Sequence, residues 1–436
     1  MRARSARIPA LHLAAAIAAL LASSCSRELP TALSLSTPAR AHVQRFSGSP
    51  IGGEVVITLA PGANAAAVAA SYGATILHDD AAHDIVSLAP NADGSVSGLL
   101  GQLAVDPRIT SSESNAYLMT AESRQQSFAF DDGLCTSTTY VEQPAAEMLH
   151  LADAHNTATG IGVKIAILDT GIDPGHPAIA GHIAAAYDFV LEQPGATEVA
   201  GGVDTNNDGV VDGAWGHGTH LAGIAMLTAP DAKLLVGRVL DSDGVGDVVT
   251  VAAGIRWAVA QGADVINLSL GTLGSSDAIS AALELAEEHH VIVIASAGNW
   301  GAEFPQEYPA RSTHAVAIAA SDAFGAPAPW TSYAIYVKIS APGVGIRSTY
   351  PGGQYRLWSG TSMSAPFVAG TAALLLQLHP SWSEYYVMKR IRDNATPLNG
   401  VSASQLGKLG AGMLDVGAAL AADAASYVPD AVLRRH

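Results

Sequence analysis

From residue 160 onward the apolar and polar positions fall into a repeating pattern in which short, continuously apolar runs alternate with longer stretches of helical period. The runs are 163–169 (VKIAILD), 233–240 (KLLVGRVL), 264–270 (DVINLSL), 291–298 (VIVIASAG) and 315–321 (AVAIAAS). Helical period marks 217–228, 247–261, 277–289, 362–378 and 382–394. Strands that are apolar on both faces must be covered on both sides, so the pattern predicts an α/β fold: a three-layer, doubly wound, mostly parallel sheet between helices. In such sheets chemistry gathers beyond the carboxyl ends of the strands.

Residues 51–120 follow a different rhythm. Four β-rich runs (EVVITL, ATILHD, HDIVSLA and ITSSESNAYLM) alternate with Ala/Leu-rich helical patterns at 64–72 and 94–104. The order β-α-β-β-α-β predicts a small ferredoxin-like α+β unit. Residues 26–50 and 121–142 are polar or rich in small residues with little periodicity, and read as a tether and a linker. The expected organisation is therefore a leader (1–25), tether (26–50), small unit (51–120), linker (121–142), large α/β domain (143–425) and tail (426–436).

Charge narrows the choice of partner. With 22 Lys plus Arg against 39 Asp plus Glu, the net charge of -17 opposes a polyphosphate, so nucleic-acid binding is not expected. At the N-terminus Arg2, Arg4 and Arg7 precede an apolar run from Leu11 to Ala22, an arrangement that predicts export to the exterior or the cell envelope. Small residues then lead to Cys25; LASSC is similar to a bacterial lipoprotein box, which would make Cys25 a lipid anchor, and simple cleavage after Ser24 is the alternative. Nothing in the composition calls for an oligomer, and a monomer is expected.

Three segments place reactive side chains at element ends: LDTG closes the first run at Asp169, GHGTH opens a helix at His217, and GTSMSAP opens another at Ser362. A serine becomes nucleophilic when a base takes its proton, and the base needs a third group to fix its tautomer. Taken singly each residue has an ordinary explanation: a strand terminator, a helix cap, an N-cap serine. Together, AILDTGID, GHGTHLAG and SGTSMSAPFVAGTAALL closely resemble the signatures of the subtilisin-like serine proteases, in that family's order Asp, His, Ser. The similarity runs over roughly residues 140–425. It implies a serine endopeptidase acting on proteins or peptides through an acyl-enzyme, with Asp169 as orienting carboxylate, His217 as base and Ser362 as nucleophile. His220 would then pack or hydrogen-bond nearby, and a zinc site is disfavoured because the pattern H-E-x-x-H is lacking.

By the same resemblance Asn299 in SAGN is the oxyanion donor, and Gly244, Val245 and Gly246, with Ser269, Leu270 and Gly271, flank an extended substrate strand. Ser296, Ala297 and Gly298, which lead to Asn299, are expected to bind substrate as well. Registering Phe304-Pro305 on the family's aromatic-Pro pair would put Glu303 near the floor of the pocket for the residue preceding the cut bond and favour Lys or Arg there; a solvated surface charge is the alternative. The ferredoxin-like unit resembles the family's propeptide, an intramolecular inhibitor removed by self-cleavage, with the cut expected in an accessible linker between about 119 and 142. Residues 204–213, DTNNDGVVDG, resemble three quarters of an EF-hand loop, giving Asp204, Asn206, Asp208, Val210 and Asp212 as candidate ligands for a structural Ca²⁺; a plain Asn/Asp/Gly surface turn competes with that reading. The rival to enzyme function is a catalytically silent, lipid-anchored binding protein on the same scaffold.

Overall fold

The computed structural model describes residues 48–80, 84–125 and 127–421. The export segment, Cys25, most of the tether and the C-terminal tail lie outside them. Strands β1 (Pro50–Leu59), β2 (Thr75–Asp80), β3 (Ile85–Ala89) and β4 (Ile109–Met119) form an antiparallel sheet in the order β2-β3-β1-β4, with helices Ala65–Tyr72 and Val96–Leu103. Both helices start where a side chain takes an orphan amide: Asn64 accepts from Ala67 and Ser95 from Gly98. Alternate residues sort the sheet's two faces: Val55, Ile57 and Leu59 enter a small core with Val68, Leu99 and Leu103, whereas Val56 and Ile85 join a core of the large domain.

The large domain is built on an eight-stranded sheet, β13-β12-β11-β10-β5-β8-β6-β7. Its members in chain order are β5 (Lys164–Asp169), β6 (Ile183–Asp188), β7 (Gln193–Pro194), β8 (Lys233–Arg238), then, after the short strand β9 (Val245–Asp247) outside this sheet, β10 (Val265–Leu268), β11 (Ile292–Ser296), β12 (Val316–Ser321) and β13 (Val337–Pro342). All neighbours in it are parallel except β6 with β7. Ile165, Ile167, Ile292 and Ile294 point into one core with helices His217–Thr228 and Thr361–Leu378. Ala166, Leu168, Val293 and Ala295 point into the other, with helices Val248–Ala260 and Asp277–Glu288. Two apolar faces with a helical layer on each is the predicted sandwich. A hairpin of β14 (Ile346–Tyr350) and β15 (Gln354–Trp358) leads into the Thr361–Leu378 helix. That helix is apolar and long enough to cross a membrane by composition, but nearly all of it is buried in the core.

The small unit is fastened to the ends of the two helices it covers. Glu113 of β4 accepts from the Ser276 hydroxyl (2.8 Å) and the Ala278 amide (2.9 Å), and Asn115 accepts from the Val248 amide (3.2 Å). The two amides belong to first turns that the helices cannot satisfy themselves, and the Ser276 hydroxyl is that of an N-cap. The 121–142 segment also departs from the expected free linker. Its start is buried, and Phe130 bridges Leu357 while Tyr140 donates to the Gly223 carbonyl at 2.6 Å. Phe128, Phe130, Leu134 and Val141 are the exposed large apolar residues among its described positions.

Candidate active site

The strand β5 ends at Asp169, and the Asp169 carboxylate accepts from the ring Nδ1 of His217 at 2.7 Å, with both side chains buried. The two meet because the His217–Thr228 helix lies almost on the loop after β5: a Cβ on Gly218 would sit 2.1 Å from the Gly171 carbonyl oxygen. The helix begins at Gly216, which has no side chain to cap it, so its first amides find partners elsewhere. Glu198 accepts from the amides of Gly216 (2.7 Å) and Thr219 (3.2 Å) and from the hydroxyls of Thr170 and Thr219, and the Thr170 hydroxyl accepts from Gly218 at 2.9 Å. One buried carboxylate thereby ties the residue after Asp169 to the turn that carries His217. Burial pushes the Glu198 carboxyl up to about 7 against these donated bonds.

His220 is excluded from the chemistry by its own bonds. Its Nε2 faces the carbonyls of Ile346 (3.1 Å) and Arg356 (3.2 Å), and burial pulls its pKa down to about 3. A neutral ring facing two carbonyls serves as a structural bond between the His217–Thr228 helix and the β14–β15 hairpin.

Ser362 stands on the first turn of the Thr361–Leu378 helix. Pro366, four residues on, has no amide for the Ser362 carbonyl, and the Ser269 hydroxyl donates to it instead at 3.0 Å. Asn299, beyond β11, accepts from both the amide and the hydroxyl of Thr361 at 2.9 Å. Its oxygen is committed there, and its Nδ2 donates to the Glu122 carboxylate.

The space among these groups is filled by Glu122. One carboxylate oxygen accepts from Ser362 Oγ at 2.6 Å and lies 3.3 Å from His217 Nε2; the other accepts from Asn299 Nδ2 at 2.9 Å. Gly360 makes room, since a Cβ there would lie 1.7 Å from the second oxygen. Burial alone would lower the His217 pKa, but the Asp169 and Glu122 carboxylates outweigh it and push it up to about 10. Burial likewise works against Glu122 ionisation, and the facing imidazolium outweighs it, so its pKa is lowered.

The chain reaches this point along the predicted substrate segments. Tyr117, Leu118 and Met119 pair antiparallel with Asp247, Gly246 and Val245, Met119 pairs on its other side with Gly271, and the Thr120 amide donates to the Gly244 carbonyl at 3.0 Å. Extended pairing ends there, because a helical turn begins at Ala121. Ser296 closes β11 and leads through Ala297 and Gly298 to Asn299. Glu303 lies elsewhere: it is partly exposed and paired with Lys408 at 2.7 Å, which corrects its expected place at a pocket floor.

Residues 160–412 match the subtilase family, peptidase S8. The chain belongs to that family. Subtilisin BL of Lederbergia lenta is 39% identical over 259 residues, spanning 57% of this chain and 89% of that protein. Thermitase of Thermoactinomyces vulgaris is 37% identical over 268 residues, 59% of this chain and 90% of the relative. Among solved structures, fervidolysin of Fervidobacterium pennivorans, described as a keratinolytic enzyme related to subtilisin, superposes with a TM-score of 0.69 at 25% identity, covering 86% of this chain and 63% of its own. As a subtilase the protein is a serine endopeptidase.

Three side chains of this subtilase's site escaped sequence reasoning. Glu122 and Glu198 act across 240 and 21 residues on Ser362 and Thr219, distances over which spacing carries no signal. Thr361, inside the quoted GTSMSAP, was in view but had no role until its contact with Asn299 was seen.

The 204–213 loop has the local bonding of a cation-binding turn. Asp204 accepts from the amides of Asp208 (3.0 Å) and Gly209 (3.2 Å), Asn206 from Asp208 (2.8 Å), and Asp208 from Val210 (2.8 Å), with Asn207 and Gly209 at positive φ. These bonds tie the three oxygen-bearing side chains into one turn. Asp212 is engaged differently, by the amides of Gly201, Gly202 and Val203 and the Ser242 hydroxyl. Asp243 takes the Asn206 and Gly213 amides at 3.0 and 3.1 Å, putting one more carboxylate beside the loop.

Proposed function

We propose that the chain is the self-processing precursor of an exported serine endopeptidase whose nucleophile, base and orienting acid are Ser362, His217 and Asp169. The observation that carries this reading is the Glu122 carboxylate held between Ser362, Asn299 and His217. Its two oxygens take up separate places that a reacting peptide would need. One marks where an oxyanion accepts from Asn299; the other keeps the serine and imidazole apart.

With that carboxylate withdrawn, the Ser362 hydroxyl and His217 Nε2 face each other. Ser362 Oγ then attacks the substrate carbonyl carbon while its proton passes to Nε2. Asp169 holds the Nδ1–H and stabilises the imidazolium, and Asn299 donates to the oxyanion. Collapse breaks the C–N bond, and the leaving amine takes the proton from Nε2. Water then attacks the acyl ester with His217 again as base, releasing the acid and restoring Ser362.

Residues 51–120 act as the inhibitory propeptide in this reading, delivering residues 117–122 into the cleft along the path a substrate would take. Export follows from the N-terminal segment, with Cys25 as the point of lipid attachment in the anchored form. Ca²⁺ fits the all-oxygen donor set of Asp204, Asn206, Asp208 and the Val210 carbonyl, where it would neutralise clustered carboxylates and stiffen the chain leading to His217.

The test is intact mass of residues 26–436 as wild type and as Ser362→Ala, incubated with calcium. Loss of the N-terminal segment in the wild type alone is expected. Two folded, uncut proteins that also fail to react with a fluorophosphonate would sink the reading and leave a silent binding scaffold.

A further inference from the structure

We propose that self-processing cuts the Ala121–Glu122 bond, so that Glu122, the residue whose carboxylate fills the site, becomes the N-terminus of the mature chain. The inference rests on the self-processing reading above and deepens it by naming the bond.

The ladder leading into the site fixes the register. Met119 and Gly271 exchange both backbone bonds: the Met119 amide donates to Gly271 at 3.0 Å, and the Gly271 amide to Met119 at 2.9 Å. In an antiparallel pair such bonded couples recur at every second residue, so the next couple along is Ala121 with Ser269. Ser269 is the residue at the nucleophile. Its carbonyl oxygen accepts from Ser362 Oγ at 3.4 Å, and its hydroxyl donates to the Ser362 carbonyl at 3.0 Å. A chain that stays extended for one residue more therefore brings the Ala121 carbonyl beside Ser362. The neighbouring carbonyls do not qualify. The Thr120 amide donates to Gly244 on the opposite edge, and the amide and carbonyl of one strand residue share an edge. Glu122 would fall opposite Leu268, which is already inside the eight-stranded sheet and paired with Ala295.

In the structure the ladder stops one couple short. A helical turn over Ala121–Gln125 takes the Ala121–Glu122 peptide off the strand path, and the Glu122 side chain meets Ser362 and Asn299 instead. Few bonds fasten that turn. Thr120 Oγ1 lies 2.6 Å from Ser123 Oγ, Ser123 Oγ donates to the Asp243 carbonyl at 2.9 Å, and the Ser127 amide donates to the Glu122 carbonyl at 3.1 Å. Unwinding it supplies chain length, since a residue rises about 1.5 Å in a helix and about 3.3 Å in a strand. Both flanks stay fixed meanwhile. Upstream, Thr120 is held by Gly244; downstream, Trp358 Nε1 donates to the Ser127 carbonyl at 3.0 Å, Phe130 and Leu357 exchange bonds of 3.0 and 2.9 Å, and Asp131 pairs with Arg356 at 3.1 Å.

The step balances within the site. As the Glu122 carboxylate withdraws, His217 releases its Nε2 proton to water. Ser362 Oγ then bonds to the Ala121 carbonyl carbon while its own proton passes to Nε2. The C–N bond to Glu122 breaks, and the Glu122 nitrogen takes that proton. Water hydrolyses the ester, leaving the Ala121 carboxylate on the small unit and a free Ser362.

The experiment is a time course of intact mass on residues 26–436 as wild type, as Ser362→Ala, and with one glycine inserted between Thr120 and Ala121. The earliest complementary fragments of the wild type should end at Ala121 and begin at Glu122, and Ser362→Ala should stay whole. Because register rather than residue type chooses the bond, the insertion should move the cut to the bond between the added glycine and Ala121. A Ser362-dependent first cut at any other wild-type bond overturns the assignment alone, as does a folded insertion protein that is not cut directly after its glycine. Should the insertion not fold, the wild-type fragments decide. A wild type that stays whole, or that is cut equally as Ser362→Ala, defeats the self-processing reading on which the assignment rests.

Discussion

The hydroxyl of Ser362 donates to Glu122 at 2.6 Å, and the same carboxylate oxygen lies 3.3 Å from His217 Nε2. A histidine flanked by two carboxylates is held as imidazolium and cannot take a proton, so in the proposed precursor the base would be silenced by protonation state as well as by obstruction. His217 is raised from 6.5 to about 10. A raised histidine stabilises the closed form fully below about 6.5, and that contribution is lost as pH rises through about 10. The rate of self-processing, followed by mass between pH 7 and 11, should therefore climb toward the alkaline end. Glu122→Gln removes one of the two charges that raise His217, and its processing should quicken near neutrality. A variant with the wild-type pH profile would show that Glu122 does not hold the latch.

Glu198 predicts a different pH signature. Its folded carboxyl lies at about 7, above the ordinary value of 4.5. The stability it lends is thus complete below about 4.5 and is lost as pH rises through about 7. Glu198→Gln titrates nothing, and it must point an NH₂ at either the Gly216 or the Thr219 amide, a donor facing a donor that costs about 1–3 kcal/mol. The melting-temperature gap between wild type and variant should be widest near pH 5 and narrow above pH 7. Because the residue positions His217 without touching substrate, kcat should fall with KM nearly unchanged and the acid limb of the kcat profile should move. A loss of stability with kinetics intact would reduce Glu198 to a helix cap.

Asn299 and Thr361 should separate donor from support. Asn299→Ala removes the amide that meets the oxyanion and should lower kcat by about 100- to 1,000-fold with little change in KM. Thr361→Val keeps Asn299 and one of its two anchors, the Thr361 amide, so the loss should be closer to about tenfold. Equal losses in the two variants would mean that the Thr361 hydroxyl does more than orient.

The central architecture was legible because its signals are local. The 217–228 helix starts and ends where its period predicts, and five strands were read from continuous apolar runs. Strand β6 was missed because IAAAYD replaces β-branched residues with alanines, and β13 because VKISAP mixes Lys, Ser and Pro into a strand. In the site, the segments carrying Asp169, His217 and Ser362 were legible through their resemblance to the family's signatures, in which the glycines at 218 and 360 stand where the structure allows no Cβ. Glu303 was misplaced because its partner Lys408 stands 105 residues away, a long-range contact with no local trace.

Calcium offers a prediction in which structure and charge pull together. Asp204, Asn206 and Asp208 already take amides of their own turn, so their oxygens are arranged before any ion arrives, and binding costs little ordering entropy. The same turn brings Asp208 near Asp243, whose carboxyl is pushed up to about 6 by burial and by the charges of Asp241 and Asp208. An ion would relieve that repulsion and, from residues 204–210, stiffen the chain that enters Gly216 and His217. Chelation of the mature enzyme should lower Tm and activity together, and added Ca²⁺ should restore both, with Mg²⁺ less effective because it demands tighter octahedral geometry. Paired Asp204→Ala and Asp208→Ala substitutions should abolish the Ca²⁺-dependent rise in Tm. If the doubly substituted protein still melts higher in Ca²⁺ by the wild-type margin, the ion sits elsewhere and 204–213 is a surface turn.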